Sequence, residues 1–192
     1  SQAELIHTVQ TPLLQPMTPM LTNSSNIKAE SIYYHLQHRA QRWPGDDSAP
    51  YSVAQFLEEE LRLQPSTYVI NDGSGLSPDN RLTAEFLTRL LVYAYQERDI
   101  WKTLQGSLLA TPGTSPRCGS LLDRMTGPQF RERIYCKTGT LTTCGVSSLC
   151  GYAQGSDGRW YAFSIINDNS PVYESRNFQD LVCHELVRAA MR

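Results

Sequence analysis

The chain has 192 residues, 17 Lys and Arg against 19 Asp and Glu, a formal charge of -2 at pH 7, and 40% hydrophobic residues. Such a composition fits one folded domain of ordinary size and excludes a disordered chain. No apolar run approaches the roughly 20 residues a spanning helix needs, and no basic stripe asks for nucleic acid.

Leu5 to Val9 reads as a short extended stretch, and Pro- and Thr-rich sequence continues to residue 24. Ala29, Ile32, Tyr33, Leu36 and Ala40 then fall on one helical face. Pro44-Gly45-Asp46-Asp47 breaks that helix. The next helix is marked by Ser52 and Gln55 as a capping box, with Tyr51 and Phe56 as its hydrophobic staple. Thr67 to Ile70 reads as a short strand that runs into a turn-rich loop, Asn71-Asp72-Gly73-Ser74-Gly75-Leu76-Ser77. A strong helix over 83–97 carries Leu87, Leu90, Leu91 and Ala94 on one face, and a shorter one follows over Asp99–Leu108. Residues 110–119 look like a surface loop.

Beyond that loop the pattern changes from helical to extended. Arg131–Thr138, Gly145–Ala153 and Trp160–Ile166 read as three strands joined by short turns, the signature of an antiparallel meander. A last helix carries Phe178, Leu181, Val182, Leu186 and Ala189. The order of elements predicts an α+β fold in which helices cover an antiparallel sheet.

Five cysteines (Cys118, Cys136, Cys144, Cys150, Cys183) contain no CxxC pair, and His7, His35, His38 and His184 make no zinc pattern. Buried thiols are the simplest reading; one or two disulfides stay open, and the odd count leaves at least one thiol free. No metal or organic cofactor is implied.

Three short segments carry chemistry. Lys137-Thr138-Gly139-Thr140 ends a predicted strand, whose edge can pair with an extended peptide. Gly139 leaves room for close approach, and Lys137 and Thr138 can hold a carboxylate or polarise a hydroxyl. The plain alternative is an exposed lysine before a turn. Ser24-Ser25-Asn26 opens a helix, where such residues are commonly caps; the functional alternative is a hydroxyl that relays a proton and an amide that holds a substrate backbone. Asp72 to Ser77 is at least a tight turn.

In this order the three segments resemble the low-molecular-mass class C penicillin-binding proteins, D-alanyl-D-alanine carboxypeptidases and endopeptidases with a Ser-x-Asn helix, a DGSGLS loop and a KTG strand. Gly145 to Tyr152 and Phe163 to Asn167 look like that family's next two strands. The resemblance implies a β-lactamase/transpeptidase-like fold, a peptidoglycan stem peptide as substrate, a β-lactam as inhibitor, and a periplasmic or cell-envelope location. It implies Ser24, Asn26 and Lys137 as catalytic residues and Thr138, Gly139 and Thr140 as substrate-binding residues. Lys137 and Thr138 would take the substrate carboxylate, and Thr140 would lend a backbone N–H to the oxyanion hole.

Two departures stand out. Where the family has Asp-Gly-Thr-Leu or Asp-Gly-Ser-Leu, this chain has Cys118-Gly119-Ser120-Leu121. The family's nucleophilic SxxK lies well before its Ser-x-Asn helix, whereas only 23 residues precede Ser24 here. The one SxxK present, Ser25-Asn26-Ile27-Lys28, overlaps the Ser-x-Asn motif. Residues 1–192 are therefore expected to form the C-terminal part of one penicillin-binding domain, inactive alone and with an open sheet edge that the missing N-terminal part would fill. A non-catalytic stem-peptide-binding module and a β-lactamase relative are the alternatives.

Overall fold

The computed structural model describes residues 7, 9–39, 51–113 and 117–189. Its helices are α1 (Leu14–Thr22), α2 (Asn26–Arg39), α3 (Tyr51–Glu59), α4 (Ala84–Gln96), α5 (Arg98–Thr103) and α6 (Val172–Arg188). Its strands are β1 (Ile134–Leu141), β2 (Val146–Gln154) and β3 (Trp160–Asn167). The α+β expectation holds: the strands form one antiparallel meander in the order β1-β2-β3, and helices cover both faces.

The period-2 alternation of the strands decides what each face meets. Ile134 and Cys136 of β1, Leu149 and Ala153 of β2, and Phe163 of β3 are buried with Cys183 and Val187 of α6 and with Leu121, Met125 and Phe130. Tyr135, Tyr152 and Trp160 point the other way and pack with Leu91, Leu109 and Trp101. The Trp101 ring stands edge-on to Tyr152 at 4.6 Å and to Trp160 at 5.1 Å. The Tyr152 hydroxyl donates to the Leu91 carbonyl at 2.7 Å, which ties β2 to α4. A separate cluster joins Leu57, Leu61, Leu63, Tyr68 and Phe86 between α3 and α4.

Helix α4 starts where its sequence says: the Thr83 hydroxyl caps it by accepting from the Phe86 N–H. Helix α5 continues into one π turn, Leu104–Leu108. The capping box at Ser52 and the staple at Tyr51 involve side chains outside the described residues; Phe56 packs edge-on against Tyr93 at 5.1 Å. The expected stretch Leu5–Val9 and the breaker at 44–47 also fall largely or wholly outside them.

Two expectations are corrected, and a segment left without an element gains one. The Pro-rich segment before Ser24 is helical over Leu14–Thr22: Pro16 falls in the first turn, where no helical N–H is needed, and Pro19 sits inside the helix at the loss of one backbone bond. The strand over Thr67–Ile70 shrinks to a single bridge between Val69 and Arg81 after a 3-10 turn at Pro65–Thr67. The loop 110–119 is not all surface. Ala110 and Thr111 are buried, and the Ala110 carbonyl accepts from the Cys136 N–H at 3.0 Å along the outer edge of β1. All five cysteines are free thiols: Cys136 and Cys183 are buried, and Cys144 is exposed.

Candidate active site

The site begins at the end of α1. The Pro19 carbonyl accepts from the N–H groups of both Asn23 and Ser25 at 3.1 Å, so the chain turns sharply there. Ser24 lies in that turn with φ +56°, a left-handed conformation that costs an L-residue about 1–2 kcal/mol. The Thr22 hydroxyl fastens the turn from below by donating to the Leu108 carbonyl at 2.9 Å. Asn26 follows as the first residue of α2, with its side chain exposed.

The loop Asp72 to Ser77 positions this helix rather than reaching the site. Its Asp72 carboxylate accepts from the N–H groups of Gly75, Leu76 and Ser77, from the Ser74 hydroxyl and from the Asn80 amide. Partial burial opposes ionisation of Asp72, but the hydrogen bonds from Asn80, Ser74, Ser77 and Gly75 outweigh it and hold its pKa below the usual carboxylate range. The loop is fastened to α2 through Glu30, whose carboxylate accepts from the Gly73 and Ser74 N–H groups at 3.1 and 3.0 Å. Gly73 lies so close to α2 that a Cβ there would stand 2.3 Å from the Tyr33 Cβ.

Strand β1 supplies the other wall. Lys137 Nζ donates to the Ser24 hydroxyl and to the Thr138 carbonyl. The first of these bonds joins segments 113 residues apart. Burial pushes the Lys137 amine below the ordinary lysine pKa. Its cross-strand neighbour is Cys150, whose thiol burial pushes up to about 11. Gly139 lies over Ser148, where a Cβ would meet the hydroxyl at 2.5 Å. One residue out of phase, Thr138 and Thr140 emerge on the α6 side. Thr138 donates to the Ser120 hydroxyl at 2.8 Å, and the Arg176 guanidinium donates to the Thr140 hydroxyl at 3.5 Å. Beyond Cys136, the outer edge of β1 has no strand partner among the described residues.

The structure thus joins Ser24 to Lys137, sets Thr138 and Thr140 on the opposite face of the same strand, and leaves the Asn26 side chain exposed two residues after Ser24. Lys28 of the overlapping SxxK stands exposed and makes no hydrogen bond to Ser25. Ser120 and Arg176 join these residues without belonging to any of the three motifs. Ser120 lies in the segment that lacks the family's aspartate, and its nearness to Thr138 depends on Gly119. That residue, at φ +45°, sits where a Cβ would stand 2.1 Å from the Thr22 carbonyl oxygen. Arg176 gave no local signal. Among the described residues no group of three or more metal-ligating side chains gathers, and no helix is long and apolar enough to cross a membrane.

Comparison with known proteins points to one family. The family model described as "D-Ala-D-Ala carboxypeptidase 3 (S13) family" matches residues 1–186. A D-alanyl-D-alanine carboxypeptidase from Actinomadura sp. (strain R39) is 30% identical over 180 residues, which is 93% of this chain and 32% of that protein. The chain spans about a third of the length of the curated relatives it matches. Penicillin-binding protein 4 (dacB) from Haemophilus influenzae superposes with a TM-score of 0.69 at 21% identity, covering 91% of this chain and 40% of its own. The penicillin G-acylated predatory endopeptidase Bd3459 from Bdellovibrio bacteriovorus gives 0.60 at 16% identity, covering 91% and 42%.

Proposed function

Because the chain belongs to the D-Ala-D-Ala carboxypeptidase 3 (S13) family, we propose that it supplies one wall of the cleft of a serine-type D-Ala-D-Ala carboxypeptidase or endopeptidase. Its substrate is the peptidoglycan stem peptide, its inhibitor a β-lactam, and its location the periplasm or cell envelope. The chain is the C-terminal part of one penicillin-binding domain, and the nucleophilic serine lies outside it. The observation that carries this reading is the hydrogen bond from Lys137 to Ser24, which unites the Ser-x-Asn helix with the KTG strand.

The geometry supports the following roles. The terminal dipeptide lies as an extra strand along the free edge of β1. The outside serine gives its hydroxyl proton to the lysine of its own SxxK as its oxygen bonds to the penultimate D-Ala carbonyl carbon, and the backbone N–H of Thr140 helps to receive the oxyanion. As the C–N bond breaks, Ser24 gives its proton to the departing amine and takes one from Lys137. A lysine with a lowered pKa releases that proton more readily. Asn26 holds the substrate amide, and Lys137 and Thr138 hold its carboxylate. Water then hydrolyses the ester and frees the shortened peptide.

The test is intact-mass analysis after incubation with a penicillin. The isolated chain is expected to form no adduct. The parent protein, which includes the residues encoded upstream of Ser1, is expected to gain one adduct, and its Lys137→Ala variant should acylate roughly 10²-fold more slowly or worse. An adduct on the isolated chain that disappears only in Ser25→Ala would make Ser25 and Lys28 the catalytic pair. A parent that never acylates would leave a non-catalytic peptide-binding module.

A further inference from the structure

We infer that Arg176 is a specificity-determining residue that binds the C-terminal carboxylate of the substrate, together with Ser120, Thr138 and Thr140. The inference rests on the proposed reading of β1 as the substrate strand.

Period-2 geometry turns the Thr138 and Thr140 side chains to the α6 side, while Lys137 and Gly139 face the opposite way. Lys137 meets a carboxylate at the strand edge from one face, and the hydroxyls of Ser120, Thr138 and Thr140 meet it from the other, where Arg176 also stands. Its Nη2 reaches Thr140 Oγ1 at 3.5 Å, a long bond that leaves most of the guanidinium donors unused.

Nothing else among the described residues neutralises that charge. The carboxylate one helical turn on, Asp180, is taken by Arg124 at 2.6 Å, and Arg176 makes no ion pair of its own. Its position is nevertheless fixed. Arg124 donates to the Arg176 carbonyl at 3.3 Å and to the Gln179 side chain at 3.1 Å. The fully buried Gln179 amide in turn donates to Ser147 on β2 at 3.2 Å and to Asn167 on β3 at 2.9 Å. The first turns of α6 are thereby bolted to the sheet, and an exposed arginine is held over the end of the KTG strand. A planar fork beside two or three hydroxyls suits a carboxylate better than a neutral amide.

The experiment is a titration of the isotope-labelled chain with N-acetyl-D-Ala-D-Ala and with its C-terminal carboxamide, following the backbone amides of Lys137 to Leu141 by NMR. The unaltered chain should bind the carboxylate up to roughly fivefold more tightly than the carboxamide, the range an exposed charge pair supplies. In Arg176→Ala that preference should collapse while carboxamide binding stays; Arg176→Lys should restore part of it. A preference undiminished in Arg176→Ala would overturn the assignment of Arg176 and leave the peptide-binding reading of β1 in place. Failure of both peptides to shift β1 in the unaltered chain would overturn both.

Discussion

Replacing Gly73 by alanine tests whether the DGSGLS loop holds the Ser-x-Asn helix in place. The added Cβ would stand 2.3 Å from the Tyr33 Cβ and 2.9 Å from both the Tyr33 Cγ and the Ala29 carbonyl oxygen. Backbone and the root of a side chain cannot swing aside, so loop and helix must separate. Overpacking of this kind costs about 1–3 kcal/mol. The same movement stretches the two N–H bonds to Glu30, of which a charge-assisted bond contributes about 1.5–3 kcal/mol. The expected loss is about 3 kcal/mol, or roughly 6–12 °C in Tm for a chain of this size. Gly75→Ala is the matched control. It adds a methyl group where no atom lies within 4 Å and leaves only the left-handed φ of +76° to be strained, at about 1 kcal/mol. Urea unfolding followed by fluorescence of the Trp101–Trp160 cluster reads both. Equal losses in the two variants, or less than about 0.5 kcal/mol for Gly73→Ala, would refute the contact argument.

Lys137 carries a stability cost with a defined pH dependence. Its folded pKa is depressed by burial, so between that value and the unfolded lysine pKa the unfolded chain binds more protons, and stability rises with pH. Lys137→Met should therefore be more stable than the unaltered chain at pH 7, with the gap closing as pH climbs towards the unfolded value. A gap that widens in urea titrations at pH 7, 8.5 and 10 would contradict this sign. The thiols should divide by environment. At pH 8 iodoacetamide should label exposed Cys144 first, while Cys150, pushed up to about 11, and Cys183, pushed up to about 12, should stay unlabelled in the folded chain. Peptide mapping that finds Cys150 labelled as fast as Cys144 would remove the burial argument at Lys137.

Those elements whose signal is local could be read from the sequence. The apolar face of α4 and the alternation of the three strands act within a few residues, and the structure keeps them to within about three positions. Helix α1 is not legible because it carries Pro16 and, inside the helix, Pro19, both of low helix propensity. Ala110 to Pro112 carry loop-like residues yet are buried, because β1 needs a partner for the Cys136 N–H. The same division runs through the site. Ser24, Asn26 and Lys137 to Thr140 sit in contiguous motifs, whereas Ser120 and Arg176 reach them only through Gly119 against α1 and through the bracing of α6 by Arg124 and Gln179.

The 113-residue separation of Ser24 and Lys137 also bears on how the molecule assembles. Strands β1 to β3 are joined by short turns and followed directly by α6, so most of their contacts close small loops and can form early. Bringing Ser24 to Lys137 closes a far longer loop, and the entropy of that closure is recovered only when α1, the Gly119 turn and β1 meet together. The hydroxyl-amine pair is thus expected to form late in folding. Substitutions around Thr22 and Gly119 should chiefly speed unfolding, while those inside the meander should slow folding.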